Sequence, residues 1–170
     1  MLDLAGIVED SIVDGPGIRC TVFAQGCPHR CPGCHNPETW DFGCGTPMEE
    51  TRILDIVRSN PLCRGVTFSG GEPFAQAEGF ARLARLLKDR GYEVASYSGY
   101  TFEQLRSGTP AQQELLGLID ILIDGPFLLE QRSLEIAFRG SRNQRILDAK
   151  ASLSAGQAVE VVSGRWLGEY

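Results

Sequence analysis

No apolar run in the chain reaches the roughly 20 residues that crossing a bilayer takes, so no membrane span is expected. Positive charge is also short: Lys and Arg number 16 against 22 Asp and Glu, for a net charge of −6. Such a balance disfavours a surface that neutralises phosphate backbones, and no nucleic-acid partner is expected. Arg139, Arg142 and Arg145 form a local basic grouping, read as a solvated face. The opening run, Met1 to Asp10, lacks a basic flank followed by an apolar stretch. A secretory signal is therefore not expected, and a cytoplasmic setting is. No internal repeat, low-complexity tract or linker-like shift divides the 170 residues, so one domain over 1–170 is the expectation.

Cysteine is present, but not in the pattern of a disulfide scaffold. Of six cysteines, Cys27, Cys31 and Cys34 are crowded together, while Cys20, Cys44 and Cys63 are scattered. In a reducing compartment this distribution suits a metal site plus incidental thiols. No second cysteine cluster exists.

Strand and helix signals alternate along the chain. Ile18, Cys20, Val22 and Ala24 fall on one face of a first strand, with Arg19, Thr21 and Phe23 on the other. Thr46-Pro47, with Glu49 and Glu50, reads as a helix start. Gly65 to Phe68 is a second strand, ended by Gly70-Gly71. Phe80, Leu83, Ala84 and Leu87 then follow at helical spacing as far as Gly91. Glu93 to Tyr97 is a third strand, and Thr101 to Ile119 holds short helices broken at Gly108 and Pro110. Leu118 to Ile123 is almost wholly apolar, as a strand buried on both faces should be. Weaker strands are expected at Leu134 to Phe138 and Ala158 to Val162. Alternating units of this kind imply an α/β fold with parallel pairing. Six of them make a partial, open (β/α)6 barrel, since the closed eight-unit form usually needs ~250 residues. Ligands should then gather at the strand ends.

Two strand-end loops stand out. The first runs Gly26-Cys27-Pro28-His29-Arg30-Cys31-Pro32-Gly33-Cys34-His35-Asn36. Its prolines oppose a regular helix and its glycines allow sharp turns, so three thiolates can turn inward while free N–H groups face the sulfurs. A structural zinc wants four closed ligands, and His29, His35 or a distant cysteine would have to complete the set. An iron–sulfur cubane with three protein thiolates keeps an open iron. Spacing alone leaves both open. The second loop, Ser69-Gly70-Gly71-Glu72-Pro73-Phe74, offers close approach to its backbone and then a carboxylate suited to an ammonium group. Asp124 ends the apolar strand, where a polar contact to a bound cofactor is expected.

The Cys-x3-Cys-x2-Cys loop followed by Gly70-Gly71-Glu72-Pro73 resembles the radical S-adenosylmethionine superfamily. Gly17-Ile18-Arg19, Phe23, Gly26-Cys27 and Cys34-His35-Asn36 are similar to the activases of glycyl radical enzymes. Cys31-Pro32-Gly33-Cys34, Ser98-Gly99-Tyr100, Asp124-Gly125-Pro126-Phe127 and Phe138-Arg139-Gly140-Ser141-Arg142-Asn143-Gln144 resemble the branch that serves anaerobic ribonucleoside-triphosphate reductase. The short chain and Gly33, where the superfamily often has an aromatic, favour that branch. The resemblance implies a radical S-adenosylmethionine oxidoreductase with one [4Fe-4S] cluster on Cys27, Cys31 and Cys34. It further implies that Gly33, His35, Gly70, Gly71 and Glu72 bind S-adenosylmethionine. A 5′-deoxyadenosyl radical would then take hydrogen from a glycine of the reductase large subunit. The electron is expected from a flavodoxin- or ferredoxin-type donor of low potential. Two alternatives remain: a small-molecule enzyme like the short deazapurine synthases, and a zinc-stabilised binding module without catalysis.

Overall fold

The computed structural model describes residues 1–168. A seven-stranded open sheet runs through it. Its strands are β1 (Leu2–Ser11), β2 (Arg19–Ala24), β3 (Thr46–Met48), β4 (Gly65–Gly70), β5 (Glu93–Ser98), β6 (Ile121–Asp124) and β7 (Arg145–Asp148). Their order in the sheet is β3-β1-β2-β4-β5-β6-β7. The four inner strands, β2, β4, β5 and β6, are mutually parallel. The three outer ones pair antiparallel with their neighbours. The open α/β barrel expected from the alternation is thus present as a parallel centre, widened by antiparallel edges instead of by further βα units.

The helices are α1 (Glu50–Ser59), α2 (Ala77–Lys88), α3 (Phe102–Arg106), α4 (Pro110–Leu118) and α5 (Ala149–Ala155). The stripe Phe80, Leu83, Ala84 and Leu87 on α2 is fully buried, as its spacing predicts. It packs with Cys20, Val22, Val66 and Phe68 of the sheet in the main core. Phe68 and Phe80 lie with their ring centroids 4.7 Å apart. A smaller core, built from Ala95, Ile121, Ile123, Ile146, Val161 and Trp166, covers alternate residues of the neighbouring strands. The expected break in the α3–α4 region is explained by two capping boxes, on Thr101 and Thr109, with Pro110 opening α4.

Some sequence expectations fail locally. Thr46-Pro47 does not start a helix, because Thr46–Met48 is drawn into pairing with Leu2, Asp3 and Leu4, and α1 begins at Glu50. The weak strand expected at Leu134 to Phe138 is irregular chain. The one expected at Ala158 to Val162 is reduced to a single bridge between Glu160 and Leu147. That segment lies along the outer edge of β7, Asp148 N donating to Val159 O at 2.9 Å and Val161 N to Ile146 O at 3.0 Å, but the pairing goes no further. Strand β1 was not anticipated, its alternation being blurred by Gly6 and by a run of exposed residues.

On the face of β2 and β4 that turns away from the helices, Arg19, Thr21 and Thr67 are buried polar residues. Arg19 is fully buried there. Its guanidinium donates to Thr67 Oγ1 at 2.9 Å and to the Val66 carbonyl at 3.3 Å, and it pairs with Glu93 at 2.8 Å. It also stacks over the Trp166 ring, 5.2 Å from the centroid. Thr67 Oγ1 in turn donates to the Asp14 carbonyl at 2.8 Å, so this buried cation fixes the turn before β2. Replacing Arg19 by Ala strands several buried acceptors, and urea unfolding should show a loss of about 3–5 kcal/mol. A loss below about 1 kcal/mol would mean that water readily replaces these bonds.

Candidate functional site

Because β2, β4, β5 and β6 are parallel, their C-terminal ends share one edge of the sheet. The register pairs Ala24 with Gly70 and Ser98 with Asp124. The four loops that leave these ends therefore meet. The cysteine loop is rooted on the glycine loop by backbone bonds, Gly71 N to Ala24 O and Glu72 N to Gly26 O, both 2.8 Å. Gly70 has φ +90°, and a Cβ on it would lie 2.6 Å from both N and O of Ala24. A Cβ on Gly71 would lie 2.3 Å from Gly26 O. Gly70 is thus required by the close approach of the end of β2 and Gly71 by that of the cysteine loop's root, reasons beyond the ligand contact that the sequence suggests.

The loops surround a cavity of about 640 Å³, a size that suits a cofactor. Cys27, Cys31 and Cys34 line it together, along with His35, Gly70 and Gly71. All three cysteines are free and partly buried. Burial pushes the Cys27 thiol up, while backbone bonds from His29 and Arg30 pull it down. Asn36 N lies 3.4 Å from Cys34 Sγ, one of the backbone donors the prolines leave free. Gly33, at φ +77°, turns the loop where Leu129 and Phe127 press on it; a Cβ there would lie 2.8 Å from Leu129 Cδ1. His35 is exposed at the mouth, edge-on to Phe127 at 5.2 Å between centroids.

Glu72 stands differently. Its carboxylate is fully buried and accepts from Ser98 Oγ at 2.9 Å, Gly99 N at 2.8 Å and Phe74 N at 3.0 Å. His29 Nε2 lies 2.6 Å from its Oε1. The acceptor capacity that the sequence reading reserved for an ammonium group is here occupied by protein donors.

The donor set bears on which metal group the loop could hold. Among the described residues, no three Cys, His, Asp or Glu side chains converge on one single-ion position. A tetrahedral zinc needs that convergence, with thiolates about 2.3 Å from one centre. A four-iron cubane takes each thiolate on a different iron and so asks for a wider trio around a larger body. The histidines that would have completed a zinc set stand on Glu72 and Phe127. Three free thiols lining one cavity are a donor set whose chemistry suits an iron–sulfur cluster.

Asp124 does not face the cavity. Its antiparallel register sets Arg145 opposite, and the carboxylate accepts from Arg145 Nε at 3.0 Å and Phe102 N at 2.7 Å. Of the basic grouping suggested by the sequence, Arg145 also pairs with Glu103 and Arg142 lies 3.7 Å from Glu135, while Arg139 lines the cavity. The Gly140–Gln144 run serves as lashing: Asn143 Nδ2 donates to Pro126 O at 2.7 Å and Gln144 Nε2 to Gly125 O at 3.1 Å. Cys20 is a core residue, its thiol pushed up to about 12 by burial. Sequence reasoning missed Ser98 as a partner of Glu72. It also missed Tyr97, whose hydroxyl donates to Phe138 O at 2.6 Å and ties the far wall to β5. Their places at the end of a parallel strand were the available signal.

Comparison with known proteins agrees with this geometry. Residues 13–147 match the family described as a 4Fe-4S single cluster domain. The anaerobic ribonucleoside-triphosphate reductase-activating protein of Vibrio cholerae is 37% identical over 143 residues, covering 79% of this chain and 90% of the relative. That of Escherichia coli K12 is 34% identical over 141 residues, covering 78% and 90%. The pyruvate formate-lyase-activating enzyme of Clostridium pasteurianum is 41% identical over a shorter 97 residues, 54% of this chain and 41% of the relative. The chain belongs to the family of anaerobic ribonucleoside-triphosphate reductase-activating proteins.

Proposed function

We propose that this chain is a radical S-adenosylmethionine enzyme that installs the glycyl radical of anaerobic ribonucleoside-triphosphate reductase. The observation that carries the proposal is one cavity lined by three free thiols and by the Gly70-Gly71 edge. Cys27, Cys31 and Cys34 hold a [4Fe-4S] cluster and leave one iron without a protein ligand. Reductive cleavage of S-adenosylmethionine to methionine and a 5′-deoxyadenosyl radical, which takes hydrogen from the partner's glycine, is the chemistry that the bound pair supplies.

This chain's own part is to bind, orient and shield. Gly70 and Gly71 offer a backbone surface to the methionine end, with Gly33 and His35 beside the cofactor. Glu72 supports that surface from behind. Phe127, Phe138 and Tyr97 line the opposite wall with apolar surface, which limits water next to a reactive carbon. Val13 and Asp14 lie on the rim, where Asp14 Oδ2 accepts from Ser11 Oγ at 2.8 Å and Thr21 Oγ1 at 3.1 Å. These bonds prepare the rim as an entrance for the reductase's glycine segment. Residues 1–170 act as one radical S-adenosylmethionine core domain, a reading supported by the single sheet that joins both cores. The free thiols suit a reducing cytoplasm, with a flavodoxin- or ferredoxin-type donor supplying the electron.

The decisive test mixes reduced, anaerobically reconstituted protein with S-adenosylmethionine and the reductase. A glycyl radical signal in electron paramagnetic resonance is expected. Cofactor cleavage without that signal would reject the partner and keep the chemistry. Exchanging Cys27, Cys31 or Cys34 for Ala should abolish the brown colour of the reconstituted protein in each case, while Cys44→Ala, at an exposed site, should keep it. A colourless wild-type protein that binds one zinc per chain would end the cluster assignment. Asp14→Asn should lower reductase activation by roughly tenfold or more while uncoupled cofactor cleavage holds, a rate ratio worth about 1.4 kcal/mol. Equal loss of both rates would remove Asp14 from the entrance.

A further inference from the structure

Resting on the cluster assignment above, we propose that His29 is a positioning residue that latches the cysteine loop to the Ser98–Tyr100 turn through the buried carboxylate of Glu72. His29 lies between the first two ligands, Cys27 and Cys31, in the stretch where the loop has least regular structure. Its Nε2 stands 2.6 Å from Glu72 Oε1, and the same oxygen accepts from Ser98 Oγ and Gly99 N. One carboxylate oxygen therefore joins three strand-end loops.

The surroundings of the ring are shaped for it. Tyr100 meets it edge-on with centroids 4.5 Å apart. Gly99 leaves the room it occupies, since a Cβ there would lie 2.4 Å from His29 Cδ2. Arg30, the next residue, is held at φ +47°, a conformation that costs a non-glycine residue energy and persists where neighbours over-determine it. Its guanidinium lies over the Trp40 ring at 5.6 Å and pairs with Asp41 at 3.1 Å. The loop apex is thus pinned inward by His29 and outward by Arg30. The outward pair is exposed and worth little in water, whereas His29 bonds a wholly buried carboxylate, so the inward pin is the firmer.

Outer contacts of this kind typically change metal affinity 10–100-fold. The test uses the full chain and three variants, H29A, H29Q and G99A. In metal-free protein, the alkylation rates of Cys27 and Cys31 are followed by mass spectrometry, with exposed Cys44 as internal control. In reconstituted protein, the chelator concentration that removes half the iron is measured. H29A should speed alkylation of Cys27 and Cys31 but not Cys44, and lower the chelator midpoint by roughly tenfold or more. H29Q, whose amide N–H can reach the same oxygen, should restore much of both. G99A, which keeps the imidazole but fills its space, should resemble H29A and keeps the question answerable if H29A fails to fold. Wild-type values for H29A and G99A in both measurements would overturn the latch. Wild-type protein that takes up no iron would overturn the cluster assignment instead, and the thiol rates would then decide the latch alone.

Discussion

A carboxylate withdrawn wholly from water costs several kcal/mol unless hydrogen bonds replace its hydration. Glu72 meets that condition only when donors from several loops are in place together: Ser98 and Gly99 from the end of β5, His29 from the cysteine loop, and Phe74 from its own turn. Leaving out one of them removes part of what replaces the anion's hydration and loosens the rest. Assembly of the site is therefore close to all-or-none, and the cysteine loop is tied into the fold at its apex as well as at its root. The site depends on this one buried charge more than on any apolar contact around it.

That charge can be met from three sides because of the sheet. Parallel strands bring successive C-terminal ends to the same edge, so residues far apart in sequence become neighbours there. The close root contact of Gly70 and Gly71 with Ala24 and Gly26 is what lowers the cysteine loop, with His29, onto the Glu72 carboxylate. A single methyl group at either glycine would lift the loop away by more than a hydrogen bond tolerates. The paired glycines are thus demanded by the chain they pack against, independently of the cofactor contact proposed for them.

Much of this was legible in the sequence, where local chemistry decides. The buried stripe of α2, the alternating faces of β2, the proline-broken pair α3 and α4 and the apolar β6 all follow from spacing. The three cysteines stood out by crowding. What failed was decided by partners distant in the chain. Thr46-Pro47 carries a sound helix start, yet it pairs with Leu2 to Leu4, about 40 residues away in the sequence, and local capping strength says nothing of that competitor. Asp124 was expected at the cofactor because it ends a strand; the antiparallel neighbour that claims it, Arg145, comes from β7, which no periodicity announced. His29 gave no hint of Glu72, because the register that brings them together belongs to the sheet.

The family match ends at residue 147, but the physical support of the site does not. Trp166 is almost wholly buried, with Arg19 over its ring and Phe138 edge-on at 5.6 Å. Arg19 holds Thr67, and through it the Asp14 turn at one rim of the cavity. Phe138 belongs to the opposite wall and sits at φ +59°, a strained value kept in place by the Tyr97 hydroxyl on its carbonyl and the indole against its ring. One aromatic side chain from beyond the matched segment therefore braces both walls. The cysteine and glycine loops lie before residue 75, while the walls that face them are stiffened by chain as far along as Trp166.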